Sequence, residues 1–280
     1  MDWVSALQQA KSDAVACVLV SIVKVEGSAP RGVGARLVVG PYFQADTIGG
    51  GSLEHKAIER ARRMLVTDRP ARSETHQFSL GRQLSQCCGG RVTLQFDVIP
   101  ASQVMLHVFG AGHVAAALAN IVAQLPWHTT FYDFREDWLR QIGLTPAQQG
   151  VIHTKTLGAN PFLAVEQCPD KAHYLVMTHD HALDYELVEA ILTRGDSRYC
   201  GLIASSSKAV SFKSRLQRKG FADTELAQLT APIGETVKTG NLPMEVAVAA
   251  VADILSRSQS LQTNQTQSLL VDALEPGTQN

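Results

Sequence analysis

The chain has 280 residues, and its 25 Lys and Arg against 26 Asp and Glu leave a net charge of -1, which excludes a global electrostatic case for nucleic-acid binding. Hydrophobic residues make up 45% and charged residues only 18%, which fits a well-buried core or a sizeable subunit interface, shared between two domains of roughly 150 residues. No apolar run approaches the ~20 residues that span a bilayer, Met1-Asp2-Trp3-Val4 has no secretory pattern, and five Cys without zinc-ribbon spacing suit a reduced cytoplasmic compartment.

In chain order, Trp3 to Lys11 reads as a short helix and Ala14 to Val25 as a β-branched strand. A turn-rich segment, Gly27 to Gly34, leads into a second strand, Ala35 to Val39. Gly49-Gly50-Gly51-Ser52 precedes a helix reaching Val66, with Leu53, Ala57, Ile58, Ala61 and Leu65 on one face. Ser52 is the expected N-cap, and Glu54 suits the positive end of the helix dipole. Strands follow at Arg72 to Leu80 and Arg91 to Ile99, the second alternating Val92, Leu94, Phe96 and Val98 with polar residues. Pro100 to Gln103 marks a boundary, after which strands and helices alternate. Strands are expected at Val104 to Phe109, His128 to Tyr132, Tyr174 to Thr178 and Gly201 to Ala204. Helices are expected at Val114 to Leu125, Asp184 to Arg194 and Lys208 to Lys219. The fold class is therefore α/β. It comprises an N-terminal mixed α+β domain over 1–100, a Rossmann-like, doubly wound parallel-sheet domain over 101–258, and a disordered or loosely docked tail over 259–280.

Gly110-x-Gly112-x-x-Ala115 follows a strand, opens a helix, and has Asp133 at the end of the next strand. This is the context in which a glycine turn and helix amides receive a phosphate while an acid binds a ribose hydroxyl. A glycine turn kept only for packing is the alternative. His113 would sit beside such a phosphate, or would cap the helix and face water. Cys87-Cys88-Gly89-Gly90, with Arg82 and Arg91 near in sequence, could lower a thiol pKa and bind a soft metal, or could be a small-residue loop closure. Gly49, Gly50 and Gly51 form a further anion-site candidate or an ordinary turn, and Arg31 could pair with a phosphate or carboxylate or be solvated. His179-Asp180-His181 with Asp184 imitates a metal cluster, although polar lining of a cleft is the better reading. Cys17, Cys168 and Cys200 suggest no role, and no Gly-x-Ser-x-Gly is present.

Three N-terminal segments, Gly27-Ser28-Ala29-Pro30-Arg31, Ile48 to Glu54 and Cys87 to Gly90, resemble the N-terminal domain of xanthine dehydrogenase accessory proteins, the XdhC/CoxI family. Phe109 to Ala115 and Thr178-His179-Asp180 resemble that family's Rossmann domain, and Pro232-Ile233-Gly234 followed by Pro243 to Ala247 resembles its closing helix. The resemblance covers about residues 10 to 256. It implies a non-enzymatic maturation factor in purine catabolism that binds the molybdenum cofactor (molybdopterin) and delivers it to the molybdenum-binding subunit of xanthine dehydrogenase, with a cysteine desulfurase supplying sulfur. In that reading Cys87 or Cys88 approaches molybdenum, and Arg31 with the glycine-rich amides holds the phosphate or pterin. NAD(P) or another nucleotide could occupy Gly110, Gly112, His113 and Asp133. Competing expectations are an NAD(P)-dependent oxidoreductase and a ligand-free assembly scaffold. A homodimer is compatible with the low charge content, and neither nucleic acid nor a membrane is an expected partner.

Overall fold

The computed structural model describes residues 1–66, 72–80, 90–102, 104–143, 150–234 and 240–257. The chain divides into two compact units, Met1–Gln103 and Val104–Asn280.

The first unit is built on an antiparallel sheet of five strands: β1 (Cys17–Glu26), β2 (Arg36–Val39), β3 (Gln44–Asp46), β4 (Ser73–Ser79) and β5 (Arg91–Ile99), in the order β3-β2-β1-β5-β4. Period-two alternation decides which residues face which side. Val18, Val20 and Ile22 of β1, with Val92, Leu94 and Phe96 of β5, lie under helix α2 (Gly51–Val66), which buries Leu53, Ala57, Ala61 and Met64 against them. The opposite face carries Cys17, Val38 and Ala45, covered by Ala6 and Ala10 of helix α1 (Trp3–Ser12). Asp2 starts α1 by accepting from the amides of Val4 and Ser5, both at 3.0 Å.

The second unit is a wholly parallel six-stranded sheet: β6 (Met105–Phe109), β7 (His128–Asp133), β8 (Val151–Thr156), β9 (His173–Val176), β10 (Tyr199–Leu202) and β11 (Leu229–Thr230). Its order, β11-β10-β9-β6-β7-β8, reverses between β6 and β9. That reversal is the Rossmann switch point, where loops at the carboxyl ends of the strands part and leave a crevice. Helices α3 (His113–Val122), α4 (Glu136–Gly143) and a final helix over 243–257 (α9) bury Leu118, Ile142 and Val251 on one face. The other face is covered by α5 (Phe162–Glu166), α6 (His181–Arg194), α7 (Ser206–Arg218) and α8 (Asp223–Leu226), which bury Val165, Ile191, Phe212 and Leu226.

The two expected architectures are present, with differences of detail. Helix α2 begins at Gly51, so Ser52 lies inside it rather than at its cap. β3, β8, β11, α4, α5 and α8 have no counterpart among the expected elements. The tail over 259–280 lies outside the described residues. No described helix is long and apolar enough to cross a membrane.

Candidate functional site

In the first unit the three glycine-bearing segments meet. A Cβ on Gly90, just before β5, would stand 2.3 Å from the Ser28 carbonyl oxygen and 2.7 Å from that of Glu26. Only a residue without a side chain lets these backbones approach so closely. A Cβ on Gly49 would stand 2.8 Å from the Pro30 ring and 3.3 Å from Cγ of Arg31. Arg31, Gly49 and Gly90 therefore lie together at one end of the sheet, where Arg31 is exposed, Gly49 half-buried and Gly90 buried. Leu80 donates to the Gly90 carbonyl at 2.9 Å, so the connection carrying Cys87 and Cys88 leaves and returns at this same place. Both cysteines lie outside the described residues, as does Arg82. Arg91 is largely exposed and lies 3.9 Å from the Glu26 carboxylate.

The amides of the triple-glycine turn have partners within the chain. Gly49 donates to Thr47 Oγ1 at 3.0 Å, and the Glu54 carboxylate takes the amides of Ile48 and Gly50, each at 3.0 Å, together with the Thr47 hydroxyl. Glu54 does more than complement a dipole: its Oε2 holds the turn closed from four residues along the helix. The Gly49 and Gly50 amides are therefore engaged by the chain itself, which leaves Arg31 as the group here that can meet an anion. Gly51 borders a hollow of about 610 Å³ that runs past His55, Arg62 and Arg63.

In the second unit, Gly110 ends β6 so near the β9 loop that a Cβ there would lie 2.4 Å from the Met177 carbonyl oxygen. Gly112 is the N-cap of α3 and has open space where a Cβ would be. Beside it lies a cavity of about 460 Å³ lined by Gly112, His113, Arg135, Trp138, Thr178 and His179, among others. His113 is exposed and meets Trp138 edge-on at 5.1 Å, so it sits on the crevice and does not close the helix end.

Asp133 departs from its expected role. It is only 3% exposed, and it accepts from the Ala111 amide at 2.8 Å, the Arg135 amide at 3.0 Å, and Nε and Nη2 of Arg135 at 2.9 and 2.8 Å. Burial pushes this carboxyl up, but the hydrogen bonds from Arg135 and Ala111 outweigh it and hold the pKa at about 2. As the structure stands, the acid is engaged by its own loop. Arg135 was not singled out from sequence, although the Asp-x-Arg spacing at the end of β7 is the signal that marks it.

The His179 segment is no metal centre: among the described residues no three His, Cys, Asp or Glu come together to hold a metal ion. Asp180 caps α6, accepting from the Ala182 amide at 2.8 Å. Asp184 is 1% exposed and accepts from Thr178 Oγ1 at 2.7 Å, the Thr178 amide at 3.0 Å and Lys208 Nζ at 2.7 Å, which ties the β9 loop to α7. His179 and His181 stay exposed, and His179 lines the cleft. Cys17, Cys168 and Cys200 are buried free thiols, and burial raises their pKa values to about 11, 11 and 12, so all three are inert packing residues.

Comparison with known proteins decides the family. The XdhC Rossmann domain profile matches residues 106–254, and the XdhC and CoxI family profile matches residues 10–79. The chain belongs to the XdhC/CoxI family. The family is one of accessory factors. A relative is the uncharacterized protein YqeB of Escherichia coli strain K12, 29% identical over 238 residues, which are 85% of this chain and 42% of YqeB. The chain thus spans less than half the length of that relative. A solved structure described as a xanthine dehydrogenase from Bacillus halodurans is 17% identical, covers 93% of this chain and 96% of its own, and superposes with a TM-score of 0.45.

Proposed function

We propose that this XdhC/CoxI protein is a cytoplasmic maturation factor that holds the molybdenum cofactor and releases it to apo-xanthine dehydrogenase, after a cysteine desulfurase has supplied the terminal sulfur. The observation that carries the reading is the meeting of Gly90, Ser28, Gly49 and Arg31 at one end of the N-terminal sheet. The cargo is a phosphorylated pterin dithiolene bearing a soft metal. A guanidinium suits its phosphate, and Arg31 is exposed beside the glycine turns. Cys87 and Cys88 precede Gly90 by three and two residues and supply thiolates, the donor type that a soft metal prefers.

A carrier must bind tightly enough to protect its cargo and loosely enough to yield it. Its surface should therefore lose cargo to a recipient without any chemical step. Mixing loaded protein with cofactor-free xanthine dehydrogenase should transfer molybdenum and restore dehydrogenase turnover, and Arg31→Ala should weaken retention before transfer. Loaded protein that keeps its molybdenum in the presence of the apo-enzyme would contradict the delivery role.

A further inference from the structure

The Asp133 carboxylate is saturated. An ionised carboxylate offers about four lone-pair sites, and here Oδ1 takes the Arg135 amide and Nε while Oδ2 takes the Ala111 amide and Arg135 Nη2. A ribose diol has nothing left to bind unless the guanidinium leaves. In doubly wound folds the acid at this strand end reads an unmodified ribose, whereas an arginine nearby receives a ribose 2'-phosphate. Arg135 stands where that choice is made. Its side chain is 36% exposed, it lines the crevice with Gly112 and His113, and it lies 5.2 Å from the Trp138 ring centroid. Nε and Nη2 are held by Asp133, which leaves Nη1 as the donor group of this partly exposed side chain for an anion in the crevice. His113 and His179 flank the same crevice. Of the nearby acids Glu136 and Asp137, the second pairs with Arg140 at 3.2 Å.

We propose that the Rossmann crevice binds a dinucleotide carrying a ribose 2'-phosphate in preference to its unphosphorylated counterpart, and that Arg135 sets this preference. The assignment concerns binding, and it stands or falls independently of the carrier reading.

The test is calorimetric titration of the full chain with NADP+ and NAD+. NADP+ should bind about ten-fold or more tightly than NAD+, as expected for one charge-assisted phosphate contact. Arg135→Ala should reverse the order, weakening NADP+ and strengthening NAD+, because it removes two donors from Asp133 and reopens the carboxylate. A second measurement needs no variant: 2'-AMP should displace NADP+ from the unaltered protein at concentrations where 5'-AMP does not. Equal affinities, a preference for NAD+, equal displacement by the two monophosphates, or no binding of either dinucleotide would overturn the proposal.

Discussion

Gly90 lies against Ser28 so closely that a methyl group on Gly90 would stand 2.3 Å from the Ser28 carbonyl oxygen. The contact is between backbones, so neither side can yield by turning a rotamer. It fixes the place where the chain returns from the Cys87-Cys88 connection relative to the loop that carries Arg31.

Gly90→Ala should therefore destabilise the N-terminal unit by about 1–3 kcal/mol, read as a lower urea midpoint. Gly112→Ala is the contrasting case: its Cβ would meet nothing within 4 Å and its φ of -74° suits any residue. It should leave the unfolding midpoint unchanged while weakening dinucleotide binding, because its methyl group fills the approach to the α3 amides. A midpoint loss at Gly112 equal to that at Gly90 would contradict the open space beside Gly112.

Glu54 holds the triple-glycine turn through one oxygen. Glu54→Ala orphans the amides of Ile48 and Gly50, and a buried donor left unpaired costs about 1–3 kcal/mol. Glu54→Gln keeps a carbonyl acceptor and should recover at least half of that loss. Hydrogen exchange at Ile48 and Gly50 is the direct readout: protection should fall in the Ala variant and return in the Gln variant.

Much of this organisation is legible from residue patterns, and the exceptions have physical causes. β5 announces itself because one face is buried and the other is not, and the glycine turn with Asp133 announces the Rossmann unit by spacing. β8 lacks such a signal because it is an edge strand with half its residues exposed, and β3 is only three residues long. The site is harder to read than the fold. Asp133 has the right spacing for a ribose acid, but its real partner, Arg135, is set by side-chain geometry that spacing does not encode. Asp184 and His107 look like surface residues by polarity, yet each is buried with a partner. That Gly90 meets Ser28, 62 positions earlier in the chain, is a consequence of the β1–β5 register, in which Glu26 faces Arg91.

Two buried histidines make stability depend on pH. Burial, with the charges of His128, Lys155 and Arg194, lowers His107 to about 4, and burial with Arg198 lowers His173 to about 4. In the unfolded chain both have an ordinary value near 6.5. Because the folded pKa is depressed, the unfolded state binds more protons between these values, so stability falls as pH drops from about 6.5 to about 4. Each histidine accounts for a loss on the order of 3 kcal/mol at most. Urea unfolding at pH 7.5 and pH 5 should show this decline, and His173→Phe should flatten it.

Asp184 and Lys208 form an ion pair whose carboxylate is 1% exposed. Removing one partner of a buried pair strands the other, at about 3–5 kcal/mol. Asp184→Ala should lower the thermal midpoint sharply and release Thr178 from the crevice rim, whereas Asp184→Ala with Lys208→Met should recover most of the loss. If the single and double variants unfold at the same midpoint, the pair is not what holds the β9 loop to α7.

The proposed cargo site is the N-terminal unit, and its proposed cargo is the molybdenum cofactor. This assignment is tested most directly by anaerobic purification from a host that makes the cofactor, with molybdenum and oxidised-pterin fluorescence measured per chain, for the unaltered protein and for the variant with both Cys87→Ser and Cys88→Ser. Near-equimolar molybdenum and pterin are expected in the first and loss of molybdenum in the second. Neither species in the unaltered protein, even after free cofactor is added, would contradict the assignment.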